Sequence, residues 1–579
     1  MKKWLKYVKP YTLYFILGPL CMIVEVIGEV LMPKYLSDIV NTGVETGDWR
    51  FALSKCGMMI LTALLMMAGG VGGAYFGAKA SVNFATDLRR DVYSKIQQFS
   101  FANIDKFSTG SLVTRLTNDI TQLQNFVNML LRMFLRSPGM LIGALIMAIS
   151  LKPDLAIVLA VSVPLIFIVQ TVIIRIGFPR FGIMQTRIDA LNSNIQESIT
   201  NVRVVKSFVR EDFEKDKFRT SNGNLKKSGM SAMLVMICMH PMMTMIMNLT
   251  TVAVLWFGGR MVMGGNMLSG DLIAFLTYIN QILMSLMMVT MLFMVSSRAL
   301  ASAKRVSEVL DEQVDIDDKN AKAPEKTVTD GKIEFENVTF RYYKNSEEAV
   351  LENINLVIEP KTTVGIIGST GCGKTTLVSL IPRLYDIDSG SVKVDGTDVR
   401  DYTLYNLREG VGMVLQKNVL FSGTIEDNLR WGNSDATDAE LVAACENAQA
   451  NGFIQSFTDG YQSQLGQGGT NVSGGQKQRL CIARALLKTP KILILDDSTS
   501  AVDTATEARI RATFKNELAD STKIIIAQRI SSVIEADKIV VMDNGVITGI
   551  GTHDELMQNN EEYREIYYSQ NEKKEGGNV

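Results

Sequence analysis

Apolar residues are concentrated in the first 300 positions, where they form six runs close to the length that crosses a bilayer. Short or glycine-rich turns follow the first, third and fifth runs, whereas the other connections are long and strongly charged. This pattern predicts six transmembrane helices. We place them at residues 12–32, 52–76, 127–150, 155–177, 232–257 and 271–297.

The distribution of lysine and arginine predicts how these helices are oriented. The three short turns carry Arg50, Lys152 and Arg260 as their cations, whereas the N-terminal segment and the long connections carry many more. Positively charged loops stay in the cytoplasm, so both termini are predicted to be cytoplasmic in a multi-pass membrane protein.

The long connections lack the residues that usually end a helix. Residues 78–109, 183–222 and 271–323 contain neither glycine nor proline. Helices that begin in the membrane are therefore expected to continue into the cytoplasm, where about 20 extra residues reach about 30 Å.

Two carboxylates fall at membrane depth in the first predicted span. Glu25 and Glu29 are four residues apart and therefore share a helix face. A charge at the bilayer centre costs roughly 2.5–3.5 kcal/mol, so both should face protein or water. They either line a cavity for a polar or cationic substrate or form a structural hydrogen bond to a neighbouring helix. The sequence leaves both interpretations open.

The pattern changes after a hydrophilic stretch at 311–331. Strand and helix patterns then alternate, which predicts an α/β domain with a largely parallel sheet. We expect a transmembrane domain over 1–315, a linker over 316–331, an α/β domain over 332–570 and a disordered tail over 571–579.

A phosphate-binding motif follows one predicted strand of this domain. The segment GSTGCGKT at 368–375 matches the P-loop pattern, whose glycines let backbone N–H groups surround phosphates. Lys374 should reach the β- and γ-phosphates of ATP, and Thr375 should bind Mg²⁺. The predicted nucleotide-binding residues here are Gly368, Ser369, Thr370, Gly371, Cys372, Gly373, Lys374, Thr375 and Thr376.

Two further segments complete the candidate chemistry. The strand KILILDD at 491–497 ends in acid, and Asp496 is the expected carboxylate on the Mg²⁺ side. Between this strand and the P-loop lies VSGGQKQR at 472–479. Ser473, Gly474 and Gly475 can present backbone and hydroxyl donors to a phosphate.

The composition argues against nucleic-acid binding and against a framework of disulfides or zinc. Hydrophobic residues make up 47% of the chain, and the net charge of −1 provides no basic surface for nucleic acid. Six cysteines without paired spacing argue against a disulfide or zinc framework.

Over nearly its whole length the chain resembles a half-transporter of the ABC exporter family. Tyr342 resembles the aromatic residue that stacks on adenine (Tyr343 is the alternative), and Gln416 resembles the glutamine that approaches Mg²⁺. Ser473 to Gln476 resemble the signature motif, and residues 500–503 resemble the D-loop. Residues 107–120 and 207–214 resemble the two coupling segments.

The resemblance implies an assembly as well as a fold. Two such chains pair head to tail in a cell membrane, and each ATP lies between one chain's P-loop and the other chain's signature. The implied cofactors are ATP and Mg²⁺, and the implied partners are a second half-transporter, a hydrophobic or amphipathic substrate and the lipid bilayer.

Three residues depart from the family pattern. Asp497 stands where a glutamate normally polarises the attacking water, and Gln528 stands where a switch histidine is expected. Gln467 occupies a position that often carries glutamate. A base retracted by about an ångström can cost ~10²-fold in rate, and glutamine cannot titrate.

These departures favour one member of a bacterial heterodimeric exporter, whose partner supplies the competent residues. The substrate would be an amphipathic drug, lipid or peptide. Two alternatives remain open, which are an ATP-gated regulator or channel and an exporter-fold importer of metal chelates.

Overall fold

A computed structural model describes residues 2–319, 321–344, 346–497 and 503–575. Side chains are described for most of these positions. The chain divides into two compact units, of which the first contains Met1–Gln97 and Gly110–Asp311. The second contains Gln98–Thr109 and Glu312–Val579, so one short segment of the first half of the sequence belongs to the second unit.

Long helices dominate the first half of the chain. Six helical segments of the described residues are long and apolar enough to cross a membrane, which confirms the number of predicted spans. Five of them contain the predicted ranges in full, whereas the sixth, Ser269–Met288, covers only the first part of the predicted range 271–297. Two π-helical turns, Ile39–Val44 and Arg115–Asp119, adjoin the helices. The helices are α1 (Lys2–Val8), α2 (Thr12–Asp38), α3 (Trp49–Gln97), α4 (Phe101–Lys106), α5 (Thr109–Thr114), α6 (Ile120–Met133), α7 (Arg136–Leu151), α8 (Pro153–Thr200), α9 (Val202–Ser207), α10 (Glu211–Met263) and α11 (Ser269–Asp311).

Glycines allow α2 and α3 to approach closely. Gly69, Gly73 and Gly77 recur every four residues along one buried face of α3. A Cβ at Gly69 would lie 2.7 Å from the carbonyl oxygen of Cys21. In a membrane the hydrophobic effect does not drive helices together, so small residues at this spacing stabilise the pair by letting the two backbones pack closely.

The long helices continue about 20 residues past the predicted spans, as expected: α3 and α8 end at Gln97 and Thr200, whereas their predicted spans end at 76 and 177. Helix α3 ends at Gln97 and α11 ends at Asp311, so each helix stops inside its stretch without glycine or proline. The first interruption has a local cause, because Ser100 accepts a hydrogen bond from the Asn103 backbone and starts a new helix. In the second connection, Asn201 and residues 208–210 separate α8, α9 and α10.

The second unit contains the predicted α/β domain. Its strands are β1 (Ile333–Phe340), β2 (Leu351–Ile358), β3 (Thr363–Gly368), β4 (Ser389–Val394), β5 (Thr397–Asp398), β6 (Val411–Val414), β7 (Gly423–Thr424), β8 (Gln464–Leu465), β9 (Ile492–Asp496), β10 (Thr522–Ile526), β11 (Lys538–Asp543) and β12 (Val546–Gly551). Its remaining helices are α12 (Lys374–Ser379), α13 (Leu404–Glu409), α14 (Ile425–Leu429), α15 (Asp438–Asn447), α16 (Asn451–Gln455), α17 (Gly474–Leu487), α18 (Thr504–Glu517), α19 (His553–Asn559) and α20 (Glu561–Glu575).

A six-stranded sheet forms the centre of this domain. Its order is β12-β11-β3-β10-β9-β6, and every pair is parallel except β11 with β12. Strands β9 and β10 are buried throughout, as expected for a parallel sheet covered on both faces. The carboxyl ends of β3, β6, β9 and β10 therefore meet at one edge.

The expected boundaries can be compared with these elements. The stretch between Asp311 and Ile333 contains the expected linker 316–331. Helix α20 extends through Glu575, into the range 571–579 that we expected to be disordered, and residues 576–579 lie outside the described residues.

The segment Gln98–Thr109 packs within the second unit. Asn103 Nδ2 donates to the carbonyl oxygen of Gln313 at 2.9 Å, and Lys106 forms an ion pair with Glu312 at 2.7 Å. The hydroxyl of Tyr385 donates to Asp105 Oδ2 at 2.9 Å. These contacts lie just before residues 107–120, which we expected to be the first coupling segment.

Candidate functional site

The candidate phosphate loop connects β3 to α12. Gly371 and Gly373 have φ angles of 89° and 97°, a region that favours glycine. At Gly373 a Cβ would lie 2.8 Å from Leu351 Cδ2, so both conformation and space require glycine there. Cys372 of the loop is buried and packs into the hydrophobic core of this domain.

Lys374 lies across this loop. Its Nζ donates to the carbonyl oxygens of Gly368 and Ser369 at 2.9 and 2.7 Å. The side chain thereby places a positive charge at the loop that the glycines shape. The arrangement can neutralise phosphate oxygens held by the backbone N–H groups.

Thr375 and Asp496 form the candidate metal site. Thr375 Oγ1 donates to Asp496 Oδ1 at 3.0 Å, which joins the start of α12 to the end of β9. Asp496 is 1% exposed, and its Oδ2 has no hydrogen-bond partner among the described residues. Burial, together with the nearby charge of Asp497, raises the pKa of Asp496.

These features fit Mg²⁺. A hydroxyl and a carboxylate are the oxygen ligands that Mg²⁺ prefers, and an unpaired buried carboxylate oxygen is stabilised by a cation. Gln416 follows β6 at the same edge of the sheet, and its backbone lies close enough to bond Asp496. The three residues Thr375, Gln416 and Asp496 could therefore hold the ion.

The candidate adenine-stacking residue lies beside α12. Tyr342 donates to or accepts from Thr376 Oγ1 at 2.8 Å, and its ring meets Tyr385 edge-on at 5.2 Å between centroids. Tyr343 is more exposed than Tyr342. The contacts fix the orientation of Tyr342, which is the better placed of the two candidates.

Asp497 and Gln528 contact each other directly. Gln528 Nε2 donates to Asp497 Oδ2 at 2.8 Å, across the ends of β9 and β10. Asp497 adopts a φ of 47°, and its backbone N–H donates to the carbonyl of Ile526 at 3.0 Å. Asp497 is thus held by groups at the end of the neighbouring strand.

The signature-like segment forms the start of α17. Ser473 Oγ accepts from the Gln476 backbone N–H, and Gln476 Oε1 accepts from the Ser473 N–H, a reciprocal capping box. Ser473 and Gly474 are exposed. The helix N-terminus can therefore offer N–H groups and a hydroxyl to an anion outside this chain.

The structure brings several of the predicted residues together. Hydrogen bonds link Thr375 to Asp496 and Asp497 to Gln528 at the carboxyl edge of the sheet. The signature segment also contacts this edge, because Gln478 Nε2 lies 3.5 Å from the carbonyl oxygen of Asp497. Its Arg479 donates to the carbonyl of Gln449 at 2.7 Å. Gln467 lies in an exposed 3₁₀ turn, and the D-loop positions 500–502 lie outside the described residues.

Glu25 and Glu29 share one arginine. Arg136 Nη2 lies 3.1 Å from Glu25 Oε1 and 3.2 Å from Glu29 Oε1, and it begins α7. Glu25 Oε2 is buried with no hydrogen-bond partner among the described residues. We did not predict this partner from the sequence, although an arginine inside the apolar run 127–150 was a usable signal.

Two family patterns match the chain. Residues 15–286 match the ABC transporter transmembrane region, and residues 351–500 match the ABC transporter domain. An uncharacterized ABC transporter ATP-binding protein of Mycobacterium tuberculosis is 38% identical over 98% of this chain and 97% of its own length. A putative multidrug export ATP-binding/permease protein of Bacillus subtilis is 34% identical over 99% of each.

Two further relatives extend the comparison. A fatty acid ABC transporter ATP-binding/permease protein of Mycobacterium bovis is 36% identical over 83% of this chain and 75% of its own length. A structure of a bacterial Atm1-family ABC exporter with ATP bound shares the fold, with a TM-score of 0.78 at 24% identity over 96% of this chain and 98% of that chain.

Six membrane helices joined to a P-loop domain define an ATP-driven membrane transporter. The chain belongs to the ABC transporter family and has the exporter fold. It is a multi-pass membrane protein with an ATP-binding domain of the ATPase type.

Proposed function

We propose that this chain is one subunit of a heterodimeric exporter that moves amphipathic compounds outward across the cell membrane. The observation that carries the proposal is the hydrogen bond from Gln528 to Asp497 at 2.8 Å. The Asp497 carboxylate stands at the position that would have to activate the attacking water, and this bond engages one of its oxygens. The Gln528 amide that donates the bond cannot itself accept a proton.

In this proposal the chain's own ATP site binds without efficient hydrolysis. Tyr342 stacks on adenine, Lys374 and the loop hold phosphates, and Thr375, Gln416 and Asp496 hold Mg²⁺. The exposed α17 terminus, with Ser473, Gly474, Gly475 and Gln476, completes the partner's catalytic site. The intact binding contacts and the altered hydrolytic positions support this division of labour.

Two exposed apolar surfaces support pairing with a second chain. Beyond α9, Phe208 and Val209 are 73% and 81% exposed, and Val209 has an unfavourable φ of 52° for a β-branched residue. A groove beside β6 is lined by the exposed side chains of Leu415, Val419, Phe421 and Trp431. We propose that the segment with Phe208 and Val209 in each chain docks in the corresponding groove of the other chain.

The proposed substrate class rests on the relatives and on the membrane half. Multidrug export and fatty acid transport are the activities named for two relatives, and both concern compounds with apolar parts. Of the 31 methionines, 28 lie within residues 1–300, where flexible side chains suit an adaptable binding surface.

The test compares the chain alone with the chain co-expressed with a complementary half-transporter. We expect little ATPase activity from the purified chain and restored activity, stimulated by hydrophobic compounds, from the pair. Vigorous turnover by a verified homodimer, lost in Lys374→Ala, would contradict the heterodimer. ATP binding without stimulated turnover in the pair would favour the regulator or channel, and inward movement in vesicles would favour the importer.

A further inference from the structure

The C-terminal helix contacts the loop that carries Gln528. Gln570 Nε2 donates to the carbonyl oxygen of Gln528 at 2.8 Å, and Gln570 Oε1 accepts from the Ile530 backbone N–H at 2.9 Å. A single amide thus pairs with two backbone groups on either side of Arg529, as a neighbouring strand would.

Helix α20 is fixed strongly enough to hold this loop in place. Tyr563 is fully buried, and its hydroxyl lies 2.8 Å from His553 Nδ1. Ile566 and Tyr567 pack against the same hydrophobic core. Together with Gln570 these residues recur at positions i, i+3, i+4 and i+7, the spacing of one helix face.

The two contacts fix the backbone from which the Gln528 side chain departs. That side chain continues to Asp497 at 2.8 Å, so an unbroken series of hydrogen bonds connects α20 with the end of β9. A rotation of the backbone at Gln528 would move its amide away from Asp497.

We infer that Gln570 is a positioning residue, through which α20 sets the orientation of Gln528 and thereby the retention of ATP at this chain's site. The inference rests on the proposed function, in which this site keeps its ATP. Without Gln570, the backbone of residues 528–530 loses two partners. The Gln528 amide, which is able to donate a hydrogen bond to a γ-phosphate, would then be held in its present orientation for a smaller fraction of the time.

The first experiment measures the loop itself. Amide hydrogen exchange is followed in residues 526–534 of the full-length transporter in nanodiscs, for wild type, Gln570→Ala and Ser569→Ala. We expect faster exchange of the Ile530 N–H in Gln570→Ala only, because Ser569 is the exposed neighbour. Gln570→Glu retains the acceptor for Ile530 but loses the donor to Gln528, so it should preserve this protection.

The second experiment measures ATP release from the assembled pair. Radiolabelled ATP with Mg²⁺ is bound, chased with unlabelled ATP, and the slowly released fraction is followed. Gln570→Ala should release this fraction roughly tenfold faster, as expected when about two modest hydrogen bonds are lost. Gln570→Glu should also release it faster, since the bond to Gln528 is broken, whereas Ser569→Ala should match wild type.

A double-mutant comparison separates positioning from a general structural role. If Gln570 acts through Gln528, Gln570→Ala should have little further effect on release in a Gln528→Ala background. An equal acceleration in that background, or unchanged exchange at Ile530 in Gln570→Ala, would overturn the inference. Failure of the proposed function is read separately, from a wild-type pair that lacks the slowly released fraction.

Discussion

The buried carboxylate of Asp496 illustrates a conflict between stability and function at a single residue. Its charged form is disfavoured by burial, which raises its pKa, and one of its oxygens has no partner among the described residues. A cation would relieve both penalties. The free protein is therefore destabilised at the position that binding of ATP with Mg²⁺ should stabilise.

We predict that Asp496→Asn raises the melting temperature of the nucleotide-free protein and abolishes the extra stabilisation by ATP with Mg²⁺. A gain of about 1 kcal/mol would correspond to about 2–4 °C. The pKa of Asp496 is raised in the folded state, so the charged carboxylate destabilises wild type at pH values above that pKa. The higher melting temperature of Asp496→Asn should therefore be seen above this pKa and should disappear as the pH falls through it, because Asp496 is then neutral in wild type as well. Thermal denaturation in detergent at several pH values measures this, with Asp554→Asn as an exposed control. A lower melting temperature for Asp496→Asn at neutral pH would contradict the prediction.

The shared arginine in the membrane half gives a second prediction at this scale. Removing Arg136 leaves Glu25 and Glu29 without their cation, which should destabilise the protein by several kcal/mol. The variant Arg136→Ala should therefore show a clearly lower melting temperature, and adding Glu25→Gln with Glu29→Gln should restore much of it.

The combined variant also separates the two interpretations of the glutamates. Restored stability with unchanged transport would assign Glu25 and Glu29 a structural role. Restored stability with loss of transport of cationic compounds alone would assign them to the substrate cavity. A melting temperature of Arg136→Ala equal to wild type would contradict the importance of the ion pairs.

Individual residues show what the sequence could predict about the site. Lys374, Thr375 and Asp496 were predictable because phosphate and Mg²⁺ impose a residue type, a spacing and a position after a strand. Arg136 gave a signal as a cation inside an apolar run, but its pairing with Glu25 and Glu29 required the folded geometry. The contacts of Gln570 gave no signal, because they join residues distant in sequence. The substitutions Asp497 and Gln528 could be noticed separately, but their mutual hydrogen bond required the adjacency of β9 and β10.

At the scale of elements, Tyr385 connects the short helix α4 with the candidate adenine site. Its hydroxyl donates to Asp105 of α4, its ring lies 5.9 Å from Phe101, and it meets Tyr342 edge-on. Burial and the Asp105 carboxylate raise the pKa of Tyr385, so the hydroxyl remains a donor at neutral pH.

We predict that Tyr385→Phe weakens the coupling of transport to ATP hydrolysis by about 2–10-fold, the effect of losing about one hydrogen bond. Tyr385→Ala should have a larger effect, because the ring contacts with Phe101 and Tyr342 are also lost. The ratio of substrate moved to ATP hydrolysed, measured in proteoliposomes, tests this. Tyr405→Ala provides a control at an exposed tyrosine of α13, and equal coupling in all variants would contradict the prediction.

Helix lengths show where sequence patterns lose information about elements. The apolar runs defined the six spans because bilayer thickness imposes a length. The charged extensions lacked glycine and proline, yet α3 ends at Gln97 because the hydroxyl of Ser100 caps a new helix. A polar capping residue can end one helix and start another. Whether it does so depends on the tertiary contacts of the segment that follows, which the sequence pattern does not show.

At the scale of the whole molecule, the proposed assembly contains two unlike ATP sites. We predict that Ser473→Ala or Gly475→Asp in this chain lowers turnover of the assembled pair, by about 10²–10³-fold for the loss of a donor to a transferring phosphoryl group. Asp497→Ala should have a far smaller effect, because its carboxylate already lies against the Gln528 amide. Steady-state ATPase measurements on the pair compare the three variants directly. If Asp497→Ala abolished turnover while the signature variants stayed active, the two sites would be assigned in reverse.

The placement of Gln98–Thr109 within the second unit has a consequence for biosynthesis. The ribosome makes this segment roughly 200 residues before it begins the domain that the segment completes, a delay of about 10–40 s at typical elongation rates. During that interval Phe101 lacks its contact with Tyr385, because Tyr385 has not yet been synthesised. Four of the six membrane spans are also still to be inserted. The α/β domain can therefore complete its folding only after the membrane half has been synthesised. We expect chaperones and quality control to act on this chain mainly at that late stage of translation.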